Sequence, residues 1–230
     1  MIPLILLVCV LGAALAWLAG LGLLQQRRTG ALARQAHERS LHFSPEDGFD
    51  IPRRCAAFAL VSAGHSPQAA NVTHGRLRGL PVRAFDFRYE AGHGTRRQTR
   101  WYGAVWVETG WPGPAVLVWD PRGDGGLPLA CRGGEEACRG WAFRGDRRRA
   151  EAVADACAAL AQGGLCVEVR DEAVLFCFPM RRRRDSYMAW LDRAPEAIAA
   201  ALARELAPPG GRGPSAENGA SQAVANPLLP

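Results

Sequence analysis

The stretch NVTHGRLRGLPVRAFDFRYE, residues 71–90, decides the fold. Two runs, 72–78 and 81–89, flank Gly79-Leu80, a two-residue hairpin signal in which glycine supplies the positive φ of a type II′ turn. In the second run Phe85, Phe87 and Tyr89 recur at period two, so they share one face of a strand. A polar turn over 92–97 leads into residues 98–108. There Trp101, Val105 and Val107 fall on one face, and Tyr102, Ala104 and Trp106 on the other. Both faces are apolar, which predicts a central strand covered on two sides. The apolar run 56–62 predicts another strand, and 115–119, between Pro114 and Pro121, a further one. Runs 165–170 and 173–178 predict a second hairpin around Asp171-Glu172. Helical spacing of Ala150, Val153, Ala154, Cys157 and Leu160 predicts a helix over 147–161, capped by Asp146. Residues 186–206 are a second helical stretch, with Pro195 starting a fresh segment or a kink.

Working outward to the N-terminus, residues 2–24 carry no charged side chain. At ~1.5 Å per residue such a helix reaches about 35 Å, enough to cross a hydrocarbon core of ~30 Å. The rival is a cleaved signal peptide with its apolar region over 2–13 and its cleavage site at Ala14-Leu15-Ala16. Against cleavage, no Arg or Lys precedes the run, and it continues well past that site. After Leu24 come Arg27, Arg28, Arg34 and Arg39, with Glu38 opposing. The positive-inside rule then puts the C-terminal side in the cytoplasm. In that compartment Asn71-Val72-Thr73 is an unused glycosylation sequon. The expected architecture is α+β: a transmembrane helix (2–24), a juxtamembrane linker (25–48), and an antiparallel-sheet domain (49–206) backed by two C-terminal helices. A Pro-, Gly- and Ser-rich disordered tail (207–230) follows.

Composition narrows the function classes. The net charge is +6 and all 28 basic residues are Arg. No nucleic-acid-binding motif accompanies that charge, so no nucleic acid is expected as partner. There are seven cysteines, of which Cys9 lies in the apolar segment. The other six, Cys55, Cys131, Cys138, Cys157, Cys166 and Cys177, are an even number, as an exported disulfide framework requires. Yet Cys157, Cys166 and Cys177 sit inside apolar helix and strand patterns, where a thiol serves as a small hydrophobe.

The pattern Asn71-x3-Gly75-x3-Gly79-x2-Val82-x2-Phe85-Asp86-Phe87-x-Tyr89, followed by Gly92 and Gln98-Thr99, resembles a group of uncharacterised bacterial single-pass membrane proteins. Their usual Phe-Asp-Tyr-x-Tyr stands here as Phe85-Asp86-Phe87-Arg88-Tyr89, one aromatic for another. The resemblance covers residues 57–107 and implies a shared domain and anchor; it implies no activity.

Several residues invite a functional reading. Asp86, between two aromatics, serves as an inward acid, base or ligand, or else bonds solvent, backbone or the neighbouring Arg83 and Arg88. Asn71 reads as a turn-former. His65, His74 and His93 would have to converge with a carboxylate to do metal or acid–base work. Cys131-x6-Cys138 lacks the tight spacing of zinc or redox pairs and reads as part of an exposed insertion. Arg181, Arg182, Arg183 and Arg184, joined by the basic run 147–149, suit an anionic lipid surface at ~1 kcal/mol per residue. No catalytic, cofactor-binding or metal residue is assigned, and no cofactor is expected. The reading is a membrane-anchored, cytoplasmic-facing binding or scaffolding domain for a protein or an anionic lipid. The alternatives are an enzyme of unknown class, built on Asp86 with a nearby His or Cys, and an exported disulfide-containing domain.

Overall fold

The computed structural model describes residues 2–122, 136–160, 164–180 and 186–206. The disordered tail expected beyond Leu206 lies outside them. Helix α1 (Ile2–Glu38) is long and apolar enough to cross a membrane, with a mean hydropathy of 2.6 over its most apolar stretch. Its large apolar side chains from Leu4 to Leu24 are exposed apart from the half-buried Leu21, while Leu32 and Ala36 further along are buried against the domain. One continuous helix therefore contains both the apolar run and a docking segment. The expected linker of 25–48 is built differently: it holds the docked half of α1, a reversal closed by the Leu41 N–H donating to the Ala36 carbonyl (2.9 Å), and strand β1 (His42–Glu46).

The domain is α+β. Strands β2 (His65–Leu77), β3 (Leu80–Ala91), β4 (Gln98–Trp111), β5 (Val116–Trp119), β6 (Glu136–Cys138), β7 (Trp141–Gly145), β8 (Cys166–Arg170) and β9 (Glu172–Pro179) join β1 in one sheet. Its order is β1-β2-β3-β4-β9-β8-β5-β7-β6, and the pairings are antiparallel. Helices α3 (Arg147–Cys157), α4 (Met188–Leu191) and α5 (Arg193–Leu206) pack on one face. That core holds Val82, Ala84, Val105, Val107, Val153 and Ile198, together with Leu32 from α1. The other face carries Phe85, Phe87, Tyr102 and Trp106 under Ile51, Phe58 and Val61. From Tyr102 to Val107 both faces of β4 are thus buried, as their alternation predicts, while Trp101 at the start of that stretch is exposed. Asp146 caps α3 by accepting from the Arg149 N–H at 2.8 Å.

Two local expectations are corrected. Residues 56–62 do not form a strand. After α2 (Ile51–Arg54) the chain makes turns and a 3-10 turn at Val61–Ala63, laying Phe58, Leu60 and Val61 over the sheet as a lid. A short apolar run demands burial, and burial alone leaves its conformation open. The lid is tied down by the Ala59 N–H donating to the buried Glu168 carboxylate at 2.6 Å. The β2–β3 turn is also not type II′. Leu77 pairs with Leu80, so the loop is Arg78-Gly79, and both residues have positive φ (51° and 83°), which is a type I′ turn. Gly75 has a packing reason: a Cβ there would lie 2.6 Å from Leu41 Cδ2, inside the α1–β1 reversal. Gly75→Ala is expected to cost about 1–3 kcal/mol by overpacking, read as a lower urea midpoint of the full chain in detergent.

Candidate functional site

The site lies where α1 leaves its apolar run and meets the helix-side face of β2 and β3. An irregularity in the β2–β3 register between Ala70 and Thr73 leaves Asn71 with a φ of 51°, a conformation asparagine tolerates better than most residues. It therefore stands inside a strand, at a bulge, rather than ahead of a hairpin. The bulge re-aims its side chain along the sheet. Asn71 Nδ2 donates to Asp86 Oδ2 at 2.7 Å, and its Oδ1 accepts from Thr29 Oγ1 at 3.3 Å. Arg28, one residue earlier on α1, grips Asp86 with both terminal nitrogens; Nη2 to Oδ1 is 2.8 Å. Tyr187 completes the network from the far side. Its hydroxyl donates to the Asn71 carbonyl and lies 3.0 Å from Thr73 Oγ1. Burial pushes the Tyr187 phenol well above its ordinary range, so it is a neutral donor.

Asp86 is only 3% exposed and takes three donors, two from Arg28 and one from Asn71. Most of its acceptor capacity is used within the protein, which suits a fixed polar floor better than proton transfer. Above that floor opens a cavity of about 500 Å³. Arg28, Asn71 and Asp86 form its base, Ala70 and Met180 its walls, and Gln25, Gln68, Arg88 and Trp101 its rim. Trp101 is 43% exposed, with the Arg88 guanidinium 5.2 Å over its ring and Gln68 Oε1 accepting from Arg88 Nε at 3.0 Å. Among the described residues, no His or Cys lines this cavity.

The other candidates fall elsewhere. His65 and His93 do meet, with ring centroids 4.6 Å apart, and His74 stacks on His42 at 5.3 Å. Cys138 is buried in β6 rather than exposed, while Cys131 and Arg181, Arg182, Arg183 and Arg184 lie outside the described residues. The basic run 147–149 is occupied within the fold. Arg147 reaches Glu136 and Glu151, Arg148 donates to the Glu205 carbonyl, and Arg149 is buried. The described cysteines are thiols; burial drives Cys55 and Cys157 up to about 12, which removes them as nucleophiles near neutral pH. Asn71 and Thr73 of the sequon are buried in the sheet.

Sequence reasoning found Asp86 and Asn71 but not what joins them. The motif Asn and Asp, 15 residues apart, are hydrogen-bonded to each other, and Gly75 and Gly79 set the packing and the turn that bring them opposite. Arg28, Thr29 and Tyr187 were missed. The one available signal was a basic residue in the first turn beyond the apolar run, and it reads equally well as a topology charge.

No protein-family profile matches this chain, and no curated protein matches it. Among solved structures it is similar to the mycobacterial trehalose monomycolate transport factor A, TtfA, at 13% identity and a TM-score of 0.50. The match covers 77% of this chain and 92% of that one. At that identity the likeness is one of fold.

Proposed function

We propose that this chain is a membrane-anchored binding module whose cleft receives the oxygen-rich polar head of an amphiphile from the adjoining leaflet. The observation that carries this reading is the place of the cavity. Its rim includes Gln25, the residue directly after the apolar run of α1, so the mouth lies at the bilayer–water boundary. The volume of about 500 Å³ falls within the range of small-molecule sites. Amide, indole and guanidinium donors at Gln25, Gln68, Trp101 and Arg88 suit hydroxyl or phosphate oxygens, while Ala70 and Met180 offer apolar wall. The fold likeness to a transport factor named for trehalose monomycolate is in keeping with a lipid-side role and brings no ligand with it.

Three further parts of the reading rest on sequence. Arg27, Arg28, Arg34 and Arg39 favour a cytoplasmic domain. Arg181, Arg182, Arg183 and Arg184 supply a second contact to anionic lipid. The single-pass proteins sharing the Asn–Gly–Gly–Phe-Asp pattern carry the same Asn–Asp floor.

Ala70 pairs with Asp86 across the β2–β3 ladder and so projects from the same face, into the cleft. Ala70→Phe is expected to fill it. Full chain released from nanodiscs of mixed phosphatidylcholine and phosphatidylglycerol should carry bound lipid in native mass spectrometry, with the variant retaining about tenfold less. Equal retention by the two proteins would show that the cleft is not where lipid binds.

A further inference from the structure

A second surface, which shares Trp101 with the rim of the cleft, faces the membrane. The chain direction fixes which end of the sheet that is. Near the bilayer, Arg28 meets Asp86 and Thr29 meets Asn71; one helix end lower, Leu41 packs against Gly75, the partner of Val82. Moving along α1 towards its apolar run therefore corresponds to moving along β3 from Val82 through Asp86 towards Ala91. The β1 pairing agrees: β1 turns back from the end of α1 and runs antiparallel to β2, whose start at His65 pairs with Glu90. From Arg28 the helix needs four residues, about 6 Å, to regain Leu24. From Asp86 to Ala91 the strand climbs about 16 Å. Even a strongly tilted strand brings the β3–β4 hairpin level with the anchor's apolar boundary.

The chemistry of that hairpin is distinctive. Residues 92–101 are all exposed. They present Arg96, Arg97 and Arg100, with Arg88 beside them and Glu90 as the carboxylate in this group. Glu90 pairs with Arg97, whereas Arg96 and Arg100 take part in no ion pair among the described residues. Beyond α1, the exposed large hydrophobics among the described residues are Trp101, here, and Leu206 at the end of α5. An exposed Trp flanked by uncompensated arginines is the pairing that membrane interfaces favour, ring at the headgroup level and cations against anionic phosphates.

We infer that the β3–β4 hairpin docks on the anionic headgroups of the same bilayer that holds α1, through Arg96, Arg97, Arg100 and Trp101. The docking fixes the tilt of the domain and holds the cleft mouth against the leaflet. It rests on α1 lying in a bilayer and is independent of what the cleft binds.

The test is backbone hydrogen exchange on the full chain in nanodiscs of phosphatidylcholine alone and of phosphatidylcholine with about a third phosphatidylglycerol. Amides 92–101 should exchange roughly tenfold more slowly in the anionic disc. The triple variant Arg96→Ser, Arg97→Ser, Arg100→Ser should lose that difference while residues 102–107 keep their protection, which reports an intact sheet. Equal exchange in the two discs, or a difference that persists undiminished in the variant, overturns the inference while leaving the anchor and the cleft standing. Unprotected amides over 7–24 would overturn the anchor reading, and this inference with it.

Discussion

Asp86→Ala is expected to lower the unfolding free energy by about 3–5 kcal/mol, the usual consequence of removing one partner from a buried ion pair. Asp86 is the point at which α1, β2 and β3 are joined. Without it the Arg28 guanidinium loses both of its hydrogen bonds to this carboxylate, and Asn71 Nδ2 loses its acceptor. The favourable interaction of the pair is smaller than this loss, because both groups were desolvated to make it. A double variant, Arg28→Met with Asp86→Leu, should accordingly recover most of the stability, since apolar groups of similar volume leave no buried charge behind. Urea unfolding of the full chain in detergent measures both. A single variant within 1 kcal/mol of wild type would mean that the network is not needed to hold α1 to the domain. The two variants also separate stability from binding. The double variant should remain folded yet bind amphiphile poorly, because the polar floor of the cleft would have become apolar.

Arg149→Ala is expected to cost about 3 kcal/mol or more for a different reason. The side chain is 1% exposed at the start of α3. Its Nη1 donates to the Pro114 carbonyl at 2.7 Å, and its Nη2 to those of Pro112 at 2.9 Å and Trp111 at 3.3 Å. The guanidinium also lies 4.4 Å from the centre of the Trp111 ring. One planar group thereby satisfies the turn between β4 and β5 and ties it to a helix that follows more than thirty residues later. Alanine leaves three carbonyls without their donor, at roughly 1 kcal/mol each, and a cavity as well. Arg149→Lys should recover only part of this, because an ammonium lacks the flat fork that reaches three acceptors at once. Thermal unfolding ranks the three proteins. A lysine variant as stable as wild type would reduce the role of Arg149 to its charge.

Much of the frame could be read from local pattern. Alternation over 98–108 implied a strand buried on both faces, and β4 has Val105 and Val107 in one core and Tyr102 and Trp106 in the other. Asp146 was legible as a helix cap because a cap is a contact between residues three apart. Asp171 and Glu172 were legible as a turn, and both have positive φ. Residues 56–62 misled because an apolar run states that it must be buried and not what shape it takes. Gly79 misled by one residue, since a turn type depends on which pair closes the ladder, and here that pair is Leu77 with Leu80.

The sequence by itself determined the apolar helix, the two-faced central strand and the α+β class, because each follows from a period repeated over neighbouring residues. Only the tertiary structure decided what Asp86 does. Its partners Arg28, Asn71 and, through Asn71, Tyr187 lie 58, 15 and about a hundred residues away. Periodicity tells a side chain which face to occupy. Which charge waits on that face is set when α1 docks against the sheet, and that docking also leaves the cleft and the arginine-tipped hairpin at the end of the sheet nearest the apolar run of α1.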